Sequence, residues 1–247
     1  MNTLIRLEVV RTLRKKKFMF FSVIYPSVIY LLISGTRSAT ANVPGTDLPL
    51  QAFFMVSMAS FGALTAVLMG NSERIARERE KGWTRQLRLT ALPGRGYVLA
   101  KIASAAVVTL PCIVVVLVVA AAARHVRLDA AWQWPVLTVV IWAGSLVFAA
   151  LGVAIGYLAS GDAVRPITMI IYFGLSILGG LWVPDTTFPQ WLQNISAWLP
   201  THAYAALGQS VQMGGAPRAE DVVILCAYFL IFAGGAAWLY RKDTLKA

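Results

Sequence analysis

Apolar residues occur along this chain in long continuous runs, and short polar breaks separate them. The runs are about 18–34, 51–70, 98–123, 135–159, 166–183 and 222–240. They do not alternate in polarity over roughly ten residues, as lipid-facing barrel strands do. Crossing a hydrocarbon core of roughly 30 Å takes about 20 helical residues, and in lipid only helices and closed barrels satisfy their own backbone. The pattern therefore predicts an all-α integral membrane protein with six transmembrane helices. The third run carries Pro111, and the fifth is rather short.

Charge adds a topology to this picture. Of the 22 Lys and Arg, eighteen fall in residues 1–17, 71–101, 160–165 and 241–247, with six of the 11 Asp and Glu. The alternate segments keep Arg37, Arg124, Arg127 and Arg218 and the other five acids. Short loops rich in Lys and Arg stay on the cytoplasmic side, so both termini are expected in the cytoplasm. The net charge of +11 thus reads as an orientation signal with contacts to anionic lipid headgroups, and it requires no nucleic acid. Apolar residues at 58% and a mean hydropathy of +0.67 agree, since soluble domains use roughly 45–50%.

A competing reading takes the opening basic residues, the apolar stretch 18–33 and Ala39-Thr40-Ala41 as a cleaved signal peptide. Its charged preface is long and Pro26 interrupts the apolar part, so the segment is kept as the first span. Cys112 and Cys226 both lie inside apolar runs and read as structural thiols. No His/Cys spacing suggests a metal.

The inner excursion at 71–97 is unlike the rest. Charged residues are 13% of the chain, yet nine stand between Glu73 and Arg88. Glu73–Arg77 and Arg74–Glu78 are i,i+4 pairs of mixed sign, which suits a short solvated helix. Gly82 is a break, and beyond it Trp83, Leu87 and Ala91 share one helical face. Holding a loop in the cytosol needs only basic residues. Glu73, Glu78, Glu80 and the Trp83/Leu87 face are left over, and they point to docking of a partner.

The run from Ile75 to Lys101, with AREREKGWTRQLRLTALPGRGYVLAK at its core, resembles the cytosolic loop of ABC-2 type transporter permeases. Glu80, Gly82, Leu87, Thr90, Leu92 and Lys101 match that family's pattern. Trp83 stands where the family commonly has Thr, and Ala91 where it has Pro, with Pro93 two residues later. The outer stretch GLWVPDTTFPQWLQNISAWLPTHAYAAL is similar to the family's segment before its last span, through Pro184, Pro189, Trp191, Leu192 and Pro200.

The resemblance implies one ABC-2, type V exporter-like transmembrane domain over residues 1–247, working in a bacterial cell membrane. Such permeases pair with a second permease copy, identical or not, and with a cytosolic ABC ATPase subunit. ATP and Mg would be bound by that ATPase, and this chain would hold no cofactor. Consistently, no G-x-x-x-x-G-K-[ST] run occurs in it. The loop after the second span would be a coupling helix seated in a groove of the ATPase. The residues expected at that contact are Glu73, Arg77, Glu78, Glu80, Gly82, Trp83, Gln86 and Leu87. Residues 1–17 would lie along the membrane as a connecting helix.

On the outer side, residues 184–221 form a second excursion. Trp191, Leu192, Ile195, Trp198 and Leu199 follow i, i+1, i+4, i+7, i+8, one amphipathic face. Trp favours headgroup depth, so the piece is expected to dip back into the outer leaflet as a re-entrant segment. It serves either as an ordinary anchor or, by the resemblance, as an outer gate with Trp191, Trp198 and Pro200. Phe54, Met55, Met58, Phe61 and Met69 on the second run suit an adaptable apolar translocation path, and equally suit plain packing. Gly152 and Gly156 permit a close helix approach, as at a dimer contact. Asp162, Arg165, His125 and His202 read as structural.

The apolar spans favour export of a lipophilic or amphiphilic cargo such as a drug, an antibiotic or a lipid. Export of a polysaccharide or glycolipid is the alternative within the family. An ATP-independent carrier or channel needs intramembrane ionisable groups or broken-helix ion sites, which are scarce here. An intramembrane enzyme lacks any HExxH, GxSxG or paired carboxylates in a span.

Overall fold

A computed structural model describes residues 10, 20–36, 41–82, 94–159 and 161–245. A π-helical turn, Phe20–Ile24, leads into α1 (Tyr25–Gly35), which is followed by α2 (Leu50–Glu80), α3 (Gly94–Arg124) and α4 (Gln133–Leu158). A 3₁₀ turn at Gly161–Ala163 opens α5 (Val164–Leu178). After it come the short α6 (Gln190–Ser196), α7 (Pro200–Gln212) and the closing α8 (Ala219–Leu245).

Among the described residues, five helical segments are long and apolar enough to cross a membrane: Leu50–Glu80, Lys101–Arg124, Gln133–Leu158, Gly161–Leu178 and Ala219–Lys242. The first apolar run yields a shorter helix, Ser22–Gly35, below that length. Its start is wound as a π-helix just ahead of Pro26, which has no N–H to continue the preceding turn.

α2 holds the centre. Its membrane-length stretch is 94% buried, against 11% in α8, so the chain's own helices enclose α2 while α8 turns its apolar surface outward. The most extensive packing is α2 on α4, followed by α8 on α4 and α3 on α2. Without a hydrophobic drive between helices in lipid, such packing depends on close backbone approach. Gly152 and Gly156 supply it: a Cβ on Gly152 would stand 2.9 Å from the Leu68 carbonyl oxygen, and one on Gly156 2.8 Å from Ile75 Cβ. The close approach that these glycines permit is made inside the chain, against α2.

α2 also runs further than its apolar stretch. No breaker stands between Gly70 and Gly82, and Asn71, Ser72, Ile75, Ala76 and Glu78 are buried. The helix thus continues through the charged segment to Glu80, where a separate solvated helix was expected. Gly82 ends it with φ +67, a left-handed conformation suited to glycine.

Polar side chains close several helix ends. At the C-terminal end of α1, Arg124 Nη2 donates to the Leu31 carbonyl (2.7 Å) and Nε to Ser34 Oγ (2.9 Å). A cation at a helix C-terminus has the favourable sign for the helix dipole. Gln133 joins two helices: its Nε2 donates to the Val211 and Gln212 carbonyls at the end of α7, and its Oε1 accepts from the Ala130 N–H.

Candidate functional site

The C-terminal, charged end of α2 has two kinds of charged residue on it. Turned outward are Arg77, Glu80 and Lys81. Glu73 lies between, its carboxylate 3.4 Å from Arg77 Nη2 and 3.7 Å from Arg165 Nε. The expected Glu73–Arg77 pair is present, and Arg165 ties the α4–α5 turn beside it. With Arg77 and Arg165 both about two-thirds exposed, these pairs hold little energy and leave the groups available at the surface.

Turned inward are Arg74, Glu78 and Arg79. Glu78 Oε1 accepts from Lys101 Nζ at 2.7 Å, with the lysine side chain 1% exposed and the glutamate 10%. Glu78 was expected at the cytosolic partner contact, but its pairing with Lys101, at the start of the third span, draws it into the bundle. Arg74 donates to Asn71 Oδ1 and to Ser104 Oγ. Arg79 donates to the Gly156 and Ala159 carbonyls, the last turn of α4, and its guanidinium lies over the Tyr157 ring. Orphan carbonyls at that helix end thus receive a charged donor. Trp83, Gln86 and Leu87, and the segment 1–17 apart from Val10, lie outside the described residues.

Below this end, Phe54, Met55, Met58 and Phe61 are all buried within the chain, Met55, Met58 and Phe61 completely, while Met69 is half-buried. Phe61 stacks against Tyr172 and Trp182. Phe54, Met55, Met58 and Phe61 are part of the buried core of the bundle.

The outer excursion contains more structure than its amphipathic pattern suggested. Trp191 and Trp198 are 64% and 74% exposed, as a membrane-surface face requires. Pro200, by contrast, is buried and starts α7. α7 itself is driven into the bundle against α4, α8, α2 and α5. Tyr204 is fully buried, donates to the Ile141 carbonyl at 3.0 Å, and fits over Gly144. Thr201 and Ser196 hydroxyls donate to the Leu175 and Leu178 carbonyls, closing the end of α5. The signal for this buried helix was there in the small residues Ala203, Ala205, Ala206 and Gly208, but by its sequence the stretch was expected in a re-entrant segment of the outer leaflet.

His202, on α7, pairs with Asp185 at 2.9 Å. The hydrogen bond from His202 holds the Asp185 carboxyl below its ordinary value, against an opposing effect of partial burial. A lowered carboxylate stabilises the fold above its unfolded pKa of about 4 and loses that contribution as pH falls through the folded value. The pair is more than a quarter exposed on each side, so the effect is modest. His202→Ala is expected to lower the thermal midpoint of the solubilised protein at pH 5.5, with the gap from the parent protein shrinking at pH 3. A gap of unchanged size would show that the carboxylate does not use this partner.

The helices, the charged inner end and the outer excursion can now be set beside known proteins. A model of the family described as "ABC-2 family transporter protein" matches residues 39–238. The chain belongs to the ABC-2 transporter family. Along 236 residues it is 29% identical to the "Putative transport permease YvfS" of Bacillus subtilis (strain 168), covering 96% of this chain and 95% of that one. It is accordingly a permease subunit, a multi-pass protein of a bacterial membrane, and an ABC-2 membrane domain lacks an ATPase site. ABC-2 permeases generally work with an ABC ATPase.

Proposed function

We propose that this permease has six spans with both termini in the cytoplasm, pairs with a second permease copy, and exports a lipophilic or amphiphilic molecule. The energy comes from a separate ATPase that binds at the cytosolic end of α2. The observation that carries this reading is the division of α2: a buried, membrane-length half continuous with a charged end that presents Arg77, Glu80 and Lys81 outward. A single rigid helix with one end exposed to the cytosol and the other in the core suits a contact that transmits force. The stretches 102–123, 135–159, 166–183 and 222–240 carry no Asp, Glu, Lys or Arg, which favours an apolar cargo over an ion or a sugar. Since Met55, Met58 and Phe61 pack the interior, the path is expected between the two copies, along faces the single chain leaves exposed. Trp191 and Trp198 would stand at its outer mouth.

The test is the double variant Glu80→Arg plus Trp83→Ala. A charge reversal and a lost aromatic anchor in a desolvated contact together weaken association by about 3 kcal/mol. Transport-coupled ATP hydrolysis is expected to fall at least tenfold while membrane insertion and yield are kept. Unchanged ATP-driven export by that variant would refute the docking role.

A further inference from the structure

The excursion between α2 and α3 is closed at its base by a buried ion pair. Glu78 and Lys101 are 23 residues apart, and their charged atoms meet at 2.7 Å. Taking two charges out of water is unfavourable, and an apolar pair of similar size is often as stable or more so. Their presence at the foot of the loop therefore calls for a role beyond holding the fold. The surrounding contacts indicate that role. Ser104 Oγ accepts from Arg74 and donates to the Lys101 carbonyl, so a second polar bridge runs from α2 to α3 one turn deeper. Arg79, next in sequence to Glu78, points the other way and grips the last carbonyls of α4. Consecutive residues at the end of α2 thus hold its two neighbours, α3 through Glu78 and α4 through Arg79.

We propose that Glu78 and Lys101 are positioning residues for energy coupling: they clamp the two flanks of the cytosolic excursion so that its displacement moves α2 and α3 as one body. A hydrogen-bonded charge pair fixes direction and register between the helices, whereas an apolar contact lets them slide. Glu78 would then stabilise the transmission inside the permease rather than touch the ATPase. The proposal rests on the reading that an ATPase docks on this excursion.

The experiment uses the full permease co-expressed with its ATPase and reconstituted in vesicles. It measures ATPase retention on purification, ATP hydrolysis, and cargo moved per ATP hydrolysed. Glu78→Lys is expected to reduce the amount moved per ATP at least tenfold, and Glu78→Lys with Lys101→Glu to restore it to within about threefold. Because a single reversal risks misfolding, Glu78→Met with Lys101→Met serves as a second variant. That apolar pair is expected to fold and retain the ATPase, yet to move at least fivefold less cargo per ATP. A paired-methionine permease that keeps its ATPase and the parent ratio would overturn the clamp and leave docking intact. A permease that never retains an ATPase would overturn the docking reading, and the clamp with it.

Discussion

Gly152→Leu is expected to abolish the folded permease. A Cβ at this position would meet the Leu68 carbonyl oxygen at 2.9 Å, the Val67 carbonyl oxygen at 3.0 Å and Asn71 Cβ at 3.2 Å. Two of those three are backbone atoms of α2, which cannot rotate away as a side-chain tip would. Overpacking a well-fitted core costs about 1–3 kcal/mol, and more when backbone must shift. Here the shift would drag the central helix, and with it the Asn71 amide that donates to the Ala149 carbonyl. The check is size-exclusion chromatography of the solubilised protein with a thermal melt. Gly174→Ala is the control, because a Cβ there meets nothing within 4 Å and alanine favours a helix by about 1 kcal/mol. A Gly152→Leu protein that elutes and melts like its parent would mean that α2 and α4 do not approach this closely.

The second large effect concerns α7. Tyr204→Ala should destabilise the protein by about 3–5 kcal/mol, the usual range for removing a buried aromatic ring. The ring is fully buried, lies 5.4 Å from the Phe148 ring, and covers Gly144. Tyr204→Phe keeps the ring and loses only the hydrogen bond to the Ile141 carbonyl, an expected loss of about 1 kcal/mol. Chemical unfolding in a mixed-detergent series measures both. If the two variants lose the same amount, α7 does not pack into the bundle, and the outer excursion is a surface segment after all.

These two sites differ in how far they were legible beforehand. The Gly152/Gly156 spacing announces close packing, but sequence spacing does not say whether the neighbour is another chain or another helix of the same one. In the fold the neighbour of these glycines is α2 of the same chain. α7 was hidden for a different reason. Its small residues, with His202, Gln209 and Gln212 among them, lack the apolar density that marks a span, and it is buried by neighbours rather than by lipid.

The charged island on α2 shows the same division. Gly82 as its end and the Glu73–Arg77 pair both follow from local rules of helix geometry. The fate of Glu78 does not, since it depends on a lysine 23 residues away. By pattern alone the outward and inward glutamates are equivalent carboxylates on one helix.

The amino-acid sequence by itself determined the class, the membrane and the family, and five of the six apolar runs read from it are membrane-length helices among the described residues. The class, the membrane and the helices follow from run length and composition, which act on each segment separately, while the family resemblance rested on the motifs of the two polar excursions. Only the tertiary structure decided which apolar residues are core and which face outward, which glutamate is a surface group and which a buried clamp, and that the outer excursion returns a helix to the bundle. Each of these depends on which helices become neighbours. In a chain whose spans are apolar on every side, periodicity carries almost no record of that choice.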